Sequence, residues 1–345
     1  MHDWMNGEDH LIIPHLELEG GGAIQNAVVA YATYGSLNED RSNAVLLTHG
    51  YTSSHRFAEP TQGGDAAEGS WSALLGPDKA IDTNRYFVVA PNMLGSCYGS
   101  SGPASINPVT GRPFGPDFPR FTIRDIVESQ RHLLDAMGIG RLLAIVGPSY
   151  GGFQAFQWAV DYPERMGGIA AAVTAPWNPD PDTPVEALVS RFAVDPKWNG
   201  GHYYPQENLV PRLIEYRAAT LRRYRAAAEL PEADREAKIL AQSESWAKVF
   251  DANSLIALRN AREDWDLTDA LNRVRARVLY VLSTTDAAYP ASIAPRVMGL
   301  LENAGVDAQF VELDSIHGHL ASGVDWQLWS QELKSFLRDL EQAAG

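Results

Sequence analysis

The chain contains 345 residues, enough for roughly two domains at about 150 residues each, or for one large α/β domain with an insertion. Its formal net charge is −15, and no long basic tract is present. We therefore expect no nucleic-acid partner, because nucleic-acid binding usually needs a positive stripe. The single cysteine, Cys97, excludes an intrachain disulfide framework and a Cys-rich zinc module.

The first ten residues are acidic and polar, whereas a secretory signal begins with basic residues and continues into an apolar stretch. No apolar run approaches the roughly 18 residues that a membrane-spanning helix needs. We expect a cytoplasmic protein that does not associate with membranes.

Short apolar runs bounded by Gly, Pro, Asn or Asp are typical of buried parallel strands. In chain order they predict strands at 44–47, 86–90, 142–146, 168–173, 278–282 and 308–313. Between them, residues 123–137 have a helical apolar pattern, and Gly138 is a suitable stop signal. This alternation predicts an α/β protein with a mostly parallel, doubly wound sheet.

The alternation ends after Pro176. Residues 177–265 begin with a Pro-rich stretch and continue as charged helical sequence, with two long helices predicted at 209–230 and 231–261. A helical segment between two strands of one sheet predicts an inserted cap. The domain prediction is therefore a core formed by 1–176 and 266–345, with a helical cap at 177–265.

The most informative segment is a strand that runs into Gly147-Pro148-Ser149-Tyr150-Gly151. In a nucleophile elbow the serine lies in a strained turn that needs small residues two positions before and after it. Gly147 and Gly151 meet this requirement, so Ser149 is the predicted nucleophile. It would stand at the carboxyl edge of the sheet, where ligands of open α/β folds bind.

The elbow resembles that of the α/β-hydrolases, in which an acid and then a histidine follow the serine along the chain. Asp286 follows the strand at 278–282 and is the predicted acid, with Asp314 as its rival. His317 and His319 both follow the last strand, and the pattern alone leaves the choice of base open. One backbone N–H of the oxyanion hole is assigned to Tyr150.

The second oxyanion donor should come from the turn after the strand at 44–47, and we assign it to the backbone N–H of Tyr51. His49, in the same turn, is interpreted as a brace for the turn. Cys97 has no visible base partner and is interpreted as structural. The histidines show no clear metal-ligand spacing, and no dinucleotide or phosphate-loop motif occurs, so no metal or cofactor is expected.

A longer segment, residues 91–108, continues through Gly111, Phe118-Pro119 and residues 122–125. With the elbow, it resembles the homoserine O-acetyltransferase family of the α/β-hydrolase superfamily, over most of the chain outside the cap. The resemblance implies an α/β-hydrolase fold, with Ser149 as nucleophile, Asp286 as acid and His319, rather than His317, as base. It also implies a homodimer that pairs through the cap helices.

Two departures from the family pattern bear on the substrate. Family members that acylate homoserine carry Asp directly after the base, where it is thought to bind the substrate amine, but this chain has Leu320. The family's His-Ile-Thr-Tyr-like cap stretch is replaced by residues 213–218. Leu320 cannot pair with an ammonium, and a buried unpaired charge is costly.

We therefore expect a serine hydrolase of short-chain, acetate-type esters that works through an acyl-enzyme intermediate. The alternative is an O-acyltransferase that uses acyl-CoA with an acceptor other than homoserine, and a third class is a noncatalytic binding protein on this fold. We interpret Arg217, Arg222 and Arg223 as solvated helix charges. Aromatic side chains expected to line an apolar pocket under the cap are Trp177, Trp198, Tyr203, Tyr204 and Trp246.

Overall fold

The computed structural model describes residues 5–60, 71–178, 184–204 and 209–344. Eight strands form the main sheet: β1 (Met5–Glu17), β2 (Ala23–Tyr34), β3 (Ala44–Leu47), β6 (Phe87–Pro91), β7 (Leu142–Pro148), β8 (Met166–Ala172), β9 (Arg277–Ser283) and β10 (Ala308–Leu313). Two short strands, β4 (Leu75–Gly76) and β5 (Ile81–Asp82), pair separately.

The main sheet has the strand order β1-β2-β6-β3-β7-β8-β9-β10. All neighbours from β6 to β10 are parallel, whereas β1 and β2 form an antiparallel hairpin at one edge. The α/β fold class and the six predicted strands are confirmed, with shifts of one or two residues at some ends. The hairpin was not predicted, because most residues of β1 are exposed and do not form an apolar run.

Helices cover both faces of the sheet. They are α1 (Ile123–Ala136), α2 (Tyr150–Asp161), α3 (Val185–Ala193), α4 (Val210–Arg223), α5 (Glu232–Ala247), α6 (Ala252–Asn260), α7 (Ala294–Asn303), α8 (Ala321–Val324) and α9 (Ser330–Ala344). Among the described residues, no helix has both the length and the apolar character needed to cross a membrane.

Alternate side chains of each strand enter two separate cores. On β3, Leu46 packs into the core under α1, α2 and α7, while Val45 and Leu47 pack into the core under α9. Three buried tryptophans anchor these cores: Trp158 lies in the first, and Trp71 and Trp329 lie in the second. The sheet is therefore packed on both faces, and the loops at its carboxyl edge start from buried strands.

Residues 184–204 and 209–260 add helices only, and they have an apolar cluster of their own that includes Phe192, Trp198 and Trp246. We refer to these residues as the cap. The predicted helix at 231–261 is wrong in one respect, because it is interrupted between α5 and α6. Asp251 is the N-cap of α6, and its carboxylate accepts a hydrogen bond from the Ser254 N–H. The predicted helix at 209–230 ends early, at Arg223.

The cap boundaries at 177–265 stay a prediction. Within the Pro-rich stretch that was expected to open the cap, Pro179 and Pro181 lie outside the described residues.

Candidate active site

Ser149 occupies the turn between β7 and α2, with φ 54° and ψ −119°. Its N–H donates to the Ala172 carbonyl at 2.8 Å, and its own carbonyl accepts from Thr174 Oγ1 at 2.8 Å. A non-glycine residue at positive φ is strained and persists only where the surroundings hold it. These hydrogen bonds hold the strained turn in place, so the serine has the backbone geometry of a nucleophile elbow.

Glycines permit the close packing around this turn. A Cβ at Gly147 would lie 2.1 Å from Thr48 Oγ1, and one at Gly151 would lie 2.4 Å from the Thr48 carbonyl oxygen. The sequence predicted that small residues are needed at both positions. It did not single out Gly152, where a Cβ would lie 2.4 Å from Thr174 Cγ2.

Two hydrogen bonds connect the predicted nucleophile, base and acid. Ser149 Oγ donates to His319 Nε2 at 2.9 Å, and His319 Nδ1 donates to Asp286 Oδ2 at 2.8 Å. Asp286 follows β9 and His319 follows β10, so the two loops bring side chains far apart in sequence to the same edge of the sheet. The Asp286 side chain is 0% exposed.

The Asp286 carboxyl group is ionised despite its burial. Burial alone would raise the pKa of Asp286, but the electrostatic interaction with His319, the hydrogen bond from its ring and the backbone N–H groups of Ala288 and Tyr289 together lower this pKa below its ordinary value. The Ala288 N–H donates to Asp286 Oδ1 at 2.7 Å. An ionised carboxylate in this position can orient the imidazole and stabilise its protonated form.

The rival residues lie elsewhere. His317 bonds through Nδ1 to Asp325 Oδ2 at 2.7 Å and through Nε2 to Glu229 Oε2 at 3.1 Å, so both of its ring nitrogens have other partners. Asp314 is exposed at the end of β10. The geometry therefore favours His319 and Asp286 in the positions of base and acid.

The two residues assigned to the oxyanion hole lie side by side. The rings of Tyr51 and Tyr150 stack with centroids 5.9 Å apart, and their hydroxyls donate to the carbonyls of Leu255 and Leu258 on α6. Tyr150 is the first residue of α2, so its backbone N–H belongs to the helix N-terminus, where partial positive charge accumulates.

His49 fixes the turn that carries Tyr51. Its Nδ1 donates to the Gly50 carbonyl at 2.9 Å, and its Nε2 accepts from the Met93 N–H at 3.2 Å. Burial lowers the pKa of His49 to about 3, so the ring is neutral near pH 7 and keeps one donor and one acceptor. These contacts confirm that His49 braces the turn.

A cavity of about 280 Å³ opens above Ser149, between the sheet edge and the cap. Tyrosines line much of it, namely Tyr51, Tyr150, Tyr216, Tyr224 and Tyr289. The rings of Tyr224 and Tyr289 also pack against His319, with centroids 4.2 and 5.6 Å away.

The expected aromatic lining was wrong, since Trp177, Trp198, Tyr203, Tyr204 and Trp246 are absent from the described wall of the cavity. All of these except Trp177 pack in the apolar cluster of the cap. The Trp177 ring lies under the guanidinium of Arg296, 4.3 Å from ring centroid to Cζ.

Four arginines line the cavity, of which the sequence analysis named only Arg223, as a solvated charge. They are Arg191, Arg223, Arg259 and Arg262. Arg259 lies in the last turn of α6 and Arg262 follows just after it, and in the sequence the three-residue spacing of a helix face could have identified them as a pair.

The interpretation of the α4 arginines as solvated needs correction. Arg217 is buried, donates to Thr52 Oγ1 at 2.9 Å and lies 5.2 Å from the centroid of the Trp246 ring. Arg223 is exposed but lines the cavity. Only Arg222 matches the expectation, because it is exposed and forms an ion pair with Glu236.

Cys97 is not one of the described residues that line this cavity. Burial raises the pKa of its thiol, and the charge of Asp251 raises it further. A thiol with a raised pKa is a poor nucleophile near pH 7. Within the described ranges, no group of three or more His, Cys, Asp or Glu side chains is arranged to hold a metal ion.

Comparison with known proteins gives a consistent result. The model of the alpha/beta hydrolase fold family matches residues 43–304. The chain is 34% identical to the homoserine O-succinyltransferase of Alkalilimnicola ehrlichii, over 96% of this chain and 94% of that protein. It is also 34% identical to the homoserine O-acetyltransferase of Deferribacter desulfuricans, over 92% of each chain.

Solved structures include both transferases and esterases. The homoserine O-acetyltransferase of Bacillus anthracis superposes with a TM-score of 0.85 at 30% identity, over 96% of this chain and 97% of that one. A leucine-to-aspartate variant of esterase E22 gives a TM-score of 0.86 at 27% identity, over 96% and 99%. With this fold and these relatives, the chain belongs to the homoserine O-acetyltransferase family of the α/β-hydrolase superfamily.

Proposed function

We propose that this protein is a serine hydrolase of short-chain, acetate-type carboxylic esters. Membership of the superfamily supports an acyltransferase or an esterase. The observation that carries the proposal is the continuous hydrogen-bonded chain from Ser149 through His319 to Asp286, at the rim of a cavity large enough for a small ester.

In the proposed mechanism, His319 takes the Ser149 proton as Oγ attacks the ester carbonyl. The backbone N–H groups of Tyr51 and Tyr150 bind the oxyanion, a contribution typically worth about 2.7–4 kcal/mol for each donor. Protonated His319 gives its proton to the leaving alcohol, while Asp286 stabilises the imidazolium. A water molecule, deprotonated by His319, then attacks the acyl carbonyl; the bond to Ser149 Oγ breaks, the acid leaves, and His319 returns its proton to Ser149 Oγ.

Leu320 supports the choice of water as acceptor. It follows His319 directly, is buried, and packs against Leu221 and Ile239 of the cap, in a small apolar cluster separate from that of Phe192, Trp198 and Trp246. It offers no carboxylate to the ammonium of an amino-alcohol acceptor. Two of the similar structures are esterases by name, esterase E22 and the acetylester hydrolase of Corynebacterium glutamicum, the latter with a TM-score of 0.80 at 26% identity.

The second candidate is an O-acyltransferase that takes an acyl group from acyl-CoA, and the names of the relatives at 34–36% identity favour it. Both reactions share the first half, in which Ser149 becomes acylated. They differ in whether water or an alcohol receives the acyl group.

The experiment compares p-nitrophenyl acetate with acetyl-CoA plus candidate alcohols, for the wild type and Ser149→Ala. We expect ester hydrolysis without an alcohol, a loss of about 10⁴- to 10⁶-fold in the variant, and acyl mass on Ser149 after acid quenching. Acyl-CoA turnover that depends strictly on an alcohol would instead establish the transferase. No turnover and no labelling by a fluorophosphonate would indicate a noncatalytic binding protein.

We also propose a homodimer that pairs through the cap helices. What supports the proposal is that the cap has exposed apolar side chains, namely Val194, Leu240 and Val249. Sedimentation equilibrium should give twice the chain mass of 37.8 kDa, whereas a single 37.8 kDa species would contradict the proposal.

A further inference from the structure

A second, much smaller cavity also has Ser149 in its wall, and we refer to it as the small cavity. Its volume is about 20 Å³. This is enough for one water molecule, which needs roughly 10–15 Å³, and too little for an ester. Its described wall comes from the core alone, namely the loop after β3, the elbow, the end of β8, the loop that carries His319, and α8.

The small cavity differs from the cavity under the cap in its contact with the base. His319 belongs to the described wall of the small cavity, together with Ser149. The described wall of the larger cavity contains Ser149 without His319. A molecule in the small cavity therefore lies next to both the predicted nucleophile and the predicted base.

Two buried serines also line the small cavity. Ser53 is 6% exposed, and its hydroxyl forms no hydrogen bond with any described residue. Ser322 is 2% exposed, and its Oγ accepts from Trp71 Nε1 at 3.3 Å, while its own proton has no acceptor among the described residues. A buried hydroxyl normally has a hydrogen-bond partner, and ordered water is a common one. The two serines therefore offer one water molecule an acceptor and a donor.

The proposed acyl-enzyme requires a water molecule in such a place. In the structure Ser149 Oγ donates its proton to His319 Nε2 at 2.9 Å. Once Oγ carries the acyl group it has no proton, so Nε2 is free to accept from another donor. A water molecule that attacks must reach both Nε2 and the acyl carbon, and so must lie in a space that both residues border. The small cavity meets this condition.

We infer that the small cavity holds the water molecule that hydrolyses the acyl-enzyme, and that Ser53 and Ser322 are positioning residues for this water. The inference rests on the proposed ester hydrolysis. The water gives one proton to His319 Nε2 while its oxygen forms a bond to the acyl carbon, and the two serine hydroxyls orient it through hydrogen bonds. The bond between the acyl carbon and Ser149 Oγ then breaks, and Oγ takes the proton from Nε2.

Rapid-mixing kinetics with p-nitrophenyl acetate separates the two half-reactions. The initial burst of p-nitrophenol measures acylation of Ser149, and the slower steady rate measures deacylation. We expect Ser53→Ala and Ser322→Ala each to slow deacylation about tenfold, the equivalent of one hydrogen bond, and to leave the rate of acylation unchanged. Because kcat/KM reports only the steps up to acylation, kcat and KM should fall together at constant kcat/KM.

Ser54→Ala is the matched control, since Ser54 is the next residue of the same loop and lies outside the described walls of both cavities. It should change neither rate. Ser322→Ala also removes an acceptor from Trp71 and can affect folding. Ser53→Ala is therefore the decisive variant, because its hydroxyl bonds no described residue.

The outcomes distinguish this inference from the proposed function. Wild-type rates in Ser53→Ala, or equal slowing of acylation and deacylation, would overturn the inference and leave ester hydrolysis intact. A wild-type protein that hydrolyses no ester in the absence of an alcohol would contradict the proposed function, and the inference with it.

Discussion

The floor and the roof of the cavity are built in different ways. The floor consists of the elbow at Ser149 and the loops after β3, β9 and β10, where backbone groups and glycines pack with almost no free space. The roof consists of side chains from α3, α4 and α6, among them Arg191, Tyr216, Arg223 and Arg259. We therefore expect the floor to determine which reaction can occur, and the roof to determine which molecules reach Ser149.

The largest effect expected within the floor separates two neighbouring histidines. His319→Ala should lower kcat by about 10⁴- to 10⁶-fold, because it removes the group bonded to Ser149 Oγ. The matched control His317→Ala alters the same loop but removes contacts to Asp325 and Glu229 only, so its effect should be far smaller. Steady-state kinetics on one ester decides the matter, and the opposite ranking would refute the choice of base.

Asp286→Asn tests the charge of the floor without changing its shape. An amide at this position accepts or donates a hydrogen bond but cannot stabilise an imidazolium, so we expect kcat to fall by about 10⁴-fold. Because the native pKa of Asp286 is lowered, its stabilising contribution is present above the ordinary carboxyl pKa and is lost as the pH falls through the lowered value. An active Asp286→Asn protein with unchanged kcat would contradict the role of the carboxylate.

Arg217→Met tests how strongly the roof holds the floor. Arg217 and Trp246 both donate hydrogen bonds to Thr52, next to Tyr51. The cap is therefore hydrogen-bonded to the turn that is proposed to bind the oxyanion. Loss of a hydrogen bond from a charged group should lower the free energy of unfolding by about 1.5–3 kcal/mol and also reduce kcat. The control Arg222→Met should lower the free energy of unfolding, measured with urea, much less than Arg217→Met does. Equal decreases for the two variants would mean that the hydrogen bond from Arg217 to Thr52 adds no stability.

The smallest expected effect concerns pH. The folded-state pKa of His49 is about 3, below its ordinary value of 6.5, so the unfolded chain binds the proton first as the pH falls. This contribution to stability is complete above pH 6.5 and should decrease by about 2 kcal/mol on acidification to pH 5. Urea unfolding of His49→Gln should show a correspondingly weaker pH dependence, whereas His10→Gln, at an exposed position of β1, should keep that of the wild type.

The floor was largely predictable from the sequence because its requirements are local. The spacing of Gly147 and Gly151 around Ser149 identifies the elbow, and the loops that follow apolar strands identify Asp286 and the loop that carries the base, without any knowledge of packing. The choice between His317 and His319 needed the family resemblance, since two residues on one loop have the same local pattern.

The roof could not be predicted in the same way. Whether an arginine on a charged helix faces solvent or a cavity depends on the tertiary arrangement, so the burial of Arg217 and the position of Arg223 were missed. The break at Asp251 was missed because a single capping side chain interrupts an otherwise continuous helical pattern. The edge strand β1 was missed because most of its residues are exposed and form no apolar run, and without β1 the hairpin with β2 was not predicted.

The hydroxyl contacts of Tyr51 and Tyr150 to α6 have a consequence for engineering. Since both tyrosines also belong to the turns around Ser149, a cap grafted from a relative would have to present matching carbonyls at the positions of Leu255 and Leu258. Chimeras that exchange residues 184–260 as a unit should therefore fold and react only when the donor carries compatible partners for these two rings. Changing selectivity through single side chains, with the helix backbone left in place, is the more tolerant route.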